Sequence, residues 1–268
     1  LITLFRIAIL TLSQPPGAAT PVDRFLSALP QRQDVAADTR DFIAHQWSQS
    51  PEKDGASFLA EAMSLLSPQF RKGLEQYEEE DLAGCAETMK TLVDDADPFL
   101  AAQARFYFIK ALVSQKNFAS ALEELELIAP DRHTRIEPYS YHLPELDFLH
   151  AYCLVENLRY EEASRHLVQF LTVHPDAPQR LTVSARQMLA ELANRQPGRI
   201  GEVSDLMMFA ANRLGHRDTG ADVQDRQKRA MVLLDKLIKE AEDREKNQSQ
   251  NPNNGGSPNS NPRPQPQN

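Results

Sequence analysis

The chain has 268 residues with 38 acidic and 29 basic side chains, which give a formal net charge of −9 and an isoelectric point near 5.3. This acidic balance argues against a nucleic-acid partner, whose binding surface is typically basic, and gives no support to adsorption on an anionic membrane. Apolar residues make up 41%, as in an ordinary globular protein, and the scarcity of glycine favours helices over strands. Only two cysteines are present, Cys85 and Cys153, which excludes a disulfide-rich scaffold and a four-cysteine zinc site; both thiols are predicted to be buried.

The first nineteen residues have the pattern of a targeting segment. Residues 1–12 are mostly apolar, but Arg6 interrupts them and the run is shorter than the ~20 residues that span a bilayer, so no integral membrane span is expected. Two prolines end the run, and small residues follow up to Ala19. This order is typical of a secretory signal peptide, so residues 1–19 are predicted to be cleaved after Ala19 and the chain to be exported to the periplasm or cell envelope. A cytoplasmic protein with an amphipathic start and an uncleaved anchor are the alternatives.

Residues 20–66 are predicted to form N-terminal capping helices. The first helix is short and ends before Pro30. The second has Asp38 or Thr39 as a natural N-cap and carries Trp47 on its apolar face. The third places Phe58 and the apolar residues after it at spacings of three and four, as an amphipathic helix requires.

Residues 67–178 contain a pattern that occurs three times. Each copy has an aromatic residue or leucine, a small residue three positions later, and apolar residues four and seven positions after the small one. The copies start 36 residues (82 to 118) and 42 residues (118 to 160) apart. Their first and small residues are Leu82 and Cys85, Phe118 and Ala121, and Tyr160 and Ala163. Because a single helical hairpin cannot bury its own apolar face, three copies in series indicate hairpins that stack on one another.

The third copy, within residues 144–178, has the small residue Ala151 in its first helix and Tyr160 and Ala163 in its second. It resembles the tetratricopeptide repeat, whose ~34-residue unit has a small residue in helix A, an aromatic residue and then alanine in helix B, and a closing proline. The other two copies match in part, since Ile109, for example, is not small. The resemblance covers residues 67–178.

This resemblance implies an all-α fold, a right-handed superhelix of stacked antiparallel helix hairpins. It also implies that a protein or peptide partner is recognised through side-chain contacts, without covalent chemistry, along a concave face that the first helix of each unit lines. Burial of the aromatic rings of that face between adjacent repeats is the alternative. The residues that the family register places there include Phe106, Lys110 and Val113 in the second unit and Phe148, Tyr152 and Val155 in the third.

The spacing of 42 residues between the last two copies locates an insertion at residues 131–143. A solvated connector is one interpretation, because surface loops tolerate extra length at little cost. A binding loop is the other, because it carries Tyr139 and Tyr141 together with histidine and arginine, which are typical contact residues.

The C-terminal part is predicted to be helical over residues 179–246 and disordered over residues 247–268, where no apolar side chain is present. The longest helix, 222–246, has a seam with a 3.5-residue period. This seam either packs on the preceding helix or pairs between two chains. Its positions are 223, 227, 230, 234, 237 and 241.

No catalytic motif is present: the sequence lacks a nucleophile elbow, a zinc-protease motif, a phosphate-binding glycine loop and a Cys-x-x-Cys pair. The densest group of titratable residues consists of His133, His142, Glu145, Asp147 and His150. A metal site needs three or four convergent ligands, so we interpret these as loop and helix-end side chains and assign no catalytic, cofactor-binding or metal-ligating residue. The sequence predicts a non-enzymatic protein-interaction scaffold. A homo-oligomer formed through residues 222–246 is the second hypothesis, and a metal-dependent enzyme is the third.

Overall fold

The computed structural model describes residues 19–49 and 54–249. Within these ranges it contains thirteen α-helices, one short 3-10 helix and no strand, which confirms the predicted all-α class. No helix in the described ranges combines the length and the hydrophobicity that crossing a bilayer requires. The helices are α1 (Pro21–Ala28), α2 (Ala37–Gln49), α3 (Gly55–Leu66), α4 (Pro68–Glu78), α5 (Leu82–Lys90), α6 (Pro98–Ser114), α7 (Phe118–Ile128), α8 (Arg132–Arg135), α9 (Leu143–Glu156), α10 (Tyr160–Val173), α11 (Gln179–Ala193), α12 (Ile200–Gly215) and α13 (Ala221–Ser249).

Two predicted terminal segments lie largely outside the described residues. Of the predicted signal peptide the structure describes Ala19 alone, and of the predicted tail it describes residues 247–249. Those three residues belong to α13, which ends three residues after the end predicted near residue 246. The helix continues because no helix-breaking residue precedes Pro252.

The helix α1 begins at a side-chain cap, and aromatic rings join α1 and α3 to α6. Thr20 caps α1: its hydroxyl oxygen accepts from the backbone N–H of Asp23 at 3.2 Å, and the Asp23 carboxylate accepts from the N–H of Thr20 at 3.0 Å. The ring of Phe25 then packs edge-on against Phe58 of α3 and Phe99 of α6, with centroid distances of 6.2 and 5.3 Å. Burial of these rings holds α1 and α3 against α6.

The three copies of the sequence pattern form three helical hairpins, α4–α5, α6–α7 and α9–α10. The second helix of each hairpin packs against the first helix that follows: α5 against α6, α7 against α9, and α10 against α11. The first helices α4 and α6 also contact each other, as do α9 and α11. Each hairpin therefore covers the apolar face of its neighbour, as the repeated pattern requires.

The three hairpin turns share one backbone geometry. A non-glycine residue has positive φ in each, at 63° for Glu80, 59° for Lys116 and 61° for Leu158. In the second and third turns, the N–H after this residue donates to the carbonyl oxygen five residues earlier, at 2.9 Å in both. This is the Schellman arrangement, in which the left-handed position usually belongs to glycine. The same turn conformation therefore occurs three times, with glutamate, lysine or leucine at the position that glycine usually occupies.

We expect Lys116→Gly to stabilise the protein by roughly 0.5–1 kcal/mol. A non-glycine residue has strain energy in the left-handed conformation, and glycine removes this strain. The gain exceeds the conformational entropy that glycine adds to the unfolded chain. The Lys116 side chain is exposed, so little packing is lost. Urea denaturation measures the change, and Lys72→Gly, on an exposed position inside α4, is the matched control with an expected loss of about 1 kcal/mol. Destabilisation by both variants would contradict this account of the turn.

Two of the turns also make the same side-chain contact with the hairpin before them. Nε2 of Gln115 donates to the carbonyl oxygen of Leu82 at 3.0 Å, and Nδ2 of Asn157 donates to that of Phe118 at 3.0 Å. In both cases the amide residue precedes the left-handed residue, and the acceptor is the first residue of the preceding hairpin's second helix. Each amide also bonds to the carbonyl oxygen four residues earlier in its own helix. The contact fixes consecutive hairpins in one relative position.

Small residues let the paired helices approach closely. Cys85, Ala121 and Ala163, the small residues of the three copies, are all 0% exposed. At Gly73 of α4, an added Cβ would lie only 2.8 Å from Cε of Met89 in α5. The close crossing of the two helices of a hairpin therefore depends on the small residues that the sequence pattern identified.

A buried arginine joins the first two hairpins. Arg105 in α6 is 3% exposed and donates to the carbonyl oxygen of Val93 at 2.8 Å. Its guanidinium also contacts the carboxylates of Asp94 and Glu124, each at 3.0 Å. The fork geometry of arginine suits several acceptors at once, so this one residue connects α6 with α7 and with the segment that follows α5.

The described residues form two compact units. The first contains residues 19–195 and 212–218, and the second contains residues 196–211 and 219–249. In the first unit one large hydrophobic cluster extends from α1 to α10. A smaller cluster of Ala151, Leu167, Phe170, Leu181 and Ala185 joins α9 and α10 to α11.

Within the second unit, α13 shows where the predicted seam is covered. Val223 and Ala230 are 1% exposed, whereas Leu234 is 41% exposed, Leu237 is half-buried and Ala241 is exposed. The seam is therefore covered at its N-terminal end and more exposed towards its C-terminal end.

Candidate partner-binding surface

The predicted surface residues lie on two first helices and one loop of the first unit. Five of the six helical ones, all except Phe106, are half-buried. On α9 the spacing of three, four and three residues brings Glu145, Phe148, Tyr152 and Val155 to one side of the helix. This side combines a carboxylate, two aromatic rings and an aliphatic group.

Phe106 is not a surface residue. It is 2% exposed, and its ring stacks parallel on the imidazole of His142 with a centroid distance of 3.6 Å. Gln103, one turn earlier, is fully buried as well. The half-buried aromatic residue of α6 is instead Tyr107, three residues before Lys110 and on the same face. The structure therefore contradicts Phe106 as a contact residue, because the imidazole of His142 covers its ring, whereas Lys110 and Val113 of the same predicted set are half-buried.

Lys110 lies at the centre of a row of side chains that crosses four helices. Its Nζ is 5.4 Å from the ring centroid of Tyr77 in α4 and 3.7 Å from Oε1 of Glu145 in α9. The other carboxylate oxygen of Glu145 accepts from Arg180 of α11 at 2.8 Å. Ion pairs and the cation–π contact thus hold this face in a defined arrangement across α4, α6, α9 and α11.

The two aromatic residues of α9 are held in place by buried aromatic rings of neighbouring helices. The ring of Tyr152 packs edge-on against Phe118 at 5.6 Å, and Phe148 packs against Phe170 at 5.8 Å. Burial, together with the nearby carboxylate of Glu156, raises the pKa of Tyr152 to about 12. The hydroxyl group is protonated at neutral pH and donates a hydrogen bond to the carboxylate of Glu156.

The inserted segment 131–143 is structured. It contains the single-turn helix α8 and the 1%-exposed side chain of Ile136. Tyr139 packs edge-on against Phe99 at 5.1 Å and lines a cavity of about 600 Å³. Tyr141 is 38% exposed and lines a second cavity of about 440 Å³. The segment is thus a packed element that lines two surface cavities.

The five titratable residues of positions 133–150 do not converge. His133 contacts Glu137 at 2.8 Å, His142 stacks on a phenylalanine, and Glu145 pairs with lysine and arginine. Asp147 pairs with Arg132 and with His174, at 3.3 and 2.8 Å. In the described part of the chain, no group of three or more such side chains is arranged to hold a metal ion. The geometry gives no support to the metal-dependent enzyme considered from the sequence.

Both cysteines are free and fully buried. Burial raises the pKa of Cys85 to about 11 and that of Cys153 to about 12. A nucleophilic cysteine needs a depressed pKa and access to solvent, so neither thiol has the properties of a nucleophile.

Two residues of this surface, Tyr107 and Tyr77, were not predicted from the sequence. Tyr107 lies within three consecutive aromatic residues, so the spacing of apolar residues does not show which of the three faces outward. Its position three residues before Lys110, on the same face of the helix, is the signal that identifies it. Tyr77, which lies beneath the lysine, has no such pattern, because the contact joins different hairpins.

Comparison of the chain with protein-family models, with curated proteins and with solved structures finds no significant match. The functional inference therefore depends on the chemistry of this chain alone.

Proposed function

We propose that the protein is a non-enzymatic scaffold of the tetratricopeptide-like class. In this proposal its stacked hairpins form a right-handed superhelix and bind a protein or peptide partner along the first helices. The three hairpins, their common turn geometry and the repeated amide contact support a helical repeat. The observation that carries the binding function is a second row, of half-buried side chains on α4, α6 and α9, namely Tyr77, Tyr107, Lys110, Phe148 and Tyr152.

These side chains have the chemistry of contact residues. Tyrosine combines a large apolar ring with a hydrogen-bonding hydroxyl group and is enriched among the residues that dominate binding energy. The rings of Tyr152 and Phe148 already pack against Phe118 and Phe170, so little side-chain freedom is left to lose on binding. A partner segment that covers this row would thus gain apolar contact at a low entropic cost.

We expect Tyr152→Ala to reduce partner recovery at least tenfold, because aromatic contact residues commonly account for ~2 kcal/mol or more of binding energy. The measurement is affinity capture of a cross-linked cell-envelope extract on the immobilised protein. The controls are Leu127→Ala and Val168→Ala, on the second helices α7 and α10, which remove side chains that are 64% and 54% exposed. Equal losses from all three variants, or a hydrolase activity with no recovered partner, would contradict the proposal.

The proposal includes an exported or cell-envelope location. The apolar residues 1–12 and the small residues that end at Ala19 support it, since this order is typical of a cleaved secretory signal. Sequencing the N-terminus of the mature protein tests it: a start at Thr20 is expected, and an intact residue 1 would contradict cleavage.

The exposed half of α13 favours a second candidate, a homo-oligomer formed through residues 222–246. Met231, Val232, Leu234 and Ile238 are between 41% and 69% exposed in this helix. Such a stripe is typical of a helix that pairs with another helix. Light scattering at high protein concentration distinguishes the two: a monomer would rule out the oligomer.

A further inference from the structure

A groove lies where α3, α4 and α6 meet in the first unit. Its volume is about 450 Å³, which is within the range of pockets that enclose small ligands or single side chains. Through Tyr107 it continues the row of side chains described above. Its lining residues include Ala60, Glu61, Leu65, Leu74, Glu78 and Tyr107.

Part of the groove wall is apolar. Leu65 is 49% exposed, and Leu74, which also lines the groove, is half-buried. Burial, followed by nearby acidic groups, raises the pKa of Tyr107 to about 12, so its hydroxyl group keeps its proton at neutral pH. A large apolar side chain inserted here would cover Leu65 and remove apolar surface from water.

The groove also carries the carboxylates of Glu61 and Glu78. Neither Glu61 nor Glu78 makes a salt bridge with any residue in the part of the chain that the structure describes. Arg71, the basic side chain in the lining, has its Nε 3.9 Å from Glu75 in its own helix. The lining therefore has an unbalanced negative charge beside an apolar wall.

The end of α4 adds to this negative potential. The helix ends at Glu78, and Glu79 and Glu80 follow directly. The last carbonyl groups of a helix form the negative end of its dipole, where cations are favoured and carboxylates are not. A basic side chain placed at this end of the groove would be attracted by both the carboxylates and the helix.

We propose that this groove binds a segment of a partner protein in which a leucine, methionine or phenylalanine lies within about three residues of a lysine or arginine. The apolar side chain would enter between Leu65 and Leu74, and the basic group would pair with Glu61 and Glu78. The inference rests on the proposed scaffold function and names the chemistry of its partner.

Selection of a random 12-residue peptide display library on the full-length chain tests the chemistry directly. We expect the enriched peptides to combine a large apolar residue with a nearby lysine or arginine. Enriched peptides that are acidic or that lack a basic residue would overturn the inference. Self-association that is lost in Glu61→Gln/Glu78→Gln, without any peptide enrichment, would overturn it in favour of a second copy of the chain.

Binding of the enriched peptide, labelled with fluorescein, then locates the site. Fluorescence anisotropy at low salt should show about five- to tenfold weaker binding to Glu61→Gln/Glu78→Gln, since exposed charge pairs contribute modestly. The difference should shrink at high salt. The matched control is Glu123→Gln/Glu161→Gln, which removes two exposed carboxylates from the second helices α7 and α10 and should bind normally. Equal affinity for the two double variants would overturn the inference.

The variant Tyr152→Ala separates this inference from the proposed function. One outcome is that Tyr152→Ala abolishes peptide binding while Glu61→Gln/Glu78→Gln leaves it unchanged. This would overturn the inference about the groove and support the scaffold function. If no peptide is enriched and Tyr152→Ala does not affect partner recovery, both proposals are wrong.

Discussion

Lowering the pH from 7 to 4.5 is expected to reduce the free energy of unfolding by about 3–5 kcal/mol. The pKa values of His142 and His150 are both lowered from 6.5 to about 4 in the folded protein. Well above pH 6.5 the imidazoles are neutral in both states and no penalty arises. Between pH 6.5 and 4 the unfolded chain takes up protons that the folded protein does not, so stability falls with pH across this window.

Burial is the main cause at both histidines. His142 is covered by the ring of Phe106, and the nearby Lys110 lowers its pKa further, against the opposite effect of Glu145. His150 is 5% exposed. An apolar environment disfavours the charged imidazolium form, so both groups remain neutral in the folded state.

A second histidine and several charged groups surround His150. His166 lies 4.2 Å away between ring centroids, and its own pKa is lowered by burial and by Arg132. After burial, His166, Arg132 and Arg159 lower the pKa of His150, whereas Asp147 raises it. A proton on either imidazole would repel the other, which adds to the cost of acidification.

Urea denaturation at pH 7 and pH 4.5 measures the effect. His150→Gln should reduce the pH-dependent loss by about 2 kcal/mol, because it removes one proton-binding site of the unfolded chain. His45→Gln, at an exposed position on α2, is the control and should leave the loss unchanged. The same pH dependence in wild type and His150→Gln would show that the buried imidazole is not responsible.

Truncation of Phe170 is expected to cost about 3–5 kcal/mol in the free energy of unfolding. The side chain is 1% exposed and lies in the cluster that joins α9 and α10 to α11. Its ring contacts Phe148 and His174, each at a centroid distance of 5.8 Å. Phe170→Ala would thus leave a cavity beneath the candidate surface that the surrounding helices fill only in part.

Chemical denaturation of Phe170→Ala is best compared with that of Phe42→Ala, which removes the same ring from a position that is 49% exposed. The control should cost less than about 1 kcal/mol. Because Phe148 loses its support, Phe170→Ala should also weaken partner capture. Equal destabilisation by both variants would contradict the proposed core between α9, α10 and α11.

The sequence predicted the helices well because their determinants are local. Pro98 and Pro144 lie in the first turns of α6 and α9, and residues such as Asp54 act as N-caps. The repeated small residues predicted where helices cross, since Cys85 and Ala163 can be buried at a close contact only because they are small.

Contacts between residues far apart in the chain could not be predicted from the sequence. Arg105 appears in the sequence as one charge in an apolar helix, and only the fold brings Asp94 and Glu124 to it. The amide contacts of Gln115 and Asn157 likewise have backbone acceptors that lie 33 and 39 residues away. Backbone acceptors carry no sequence pattern, so these contacts become visible only in the structure.

Among the helical residues predicted for the candidate surface, the structure leaves five half-buried and buries one. The α9 residues Phe148 and Tyr152 are half-buried, but on α6 the prediction chose Phe106 where the structure exposes Tyr107. A helix that neighbours cover on several sides carries apolar residues around most of its circumference, so its sequence does not mark one outer face. The register taken from the family resemblance therefore included Phe106 together with Lys110 and Val113, although neighbouring side chains cover its ring. The charge row through Lys110 depends on three other helices.

Site-specific photo-crosslinking tests the central claim, that a partner binds along the first helices. Benzoylphenylalanine is introduced at Tyr152 on α9 or at Leu127 on α7, and the protein is irradiated in cell-envelope extract. The account predicts that position 152 is crosslinked to one partner protein, that excess unlabelled chain suppresses the product, and that position 127 yields none. Equal crosslinking at both positions, or none at position 152, would contradict it.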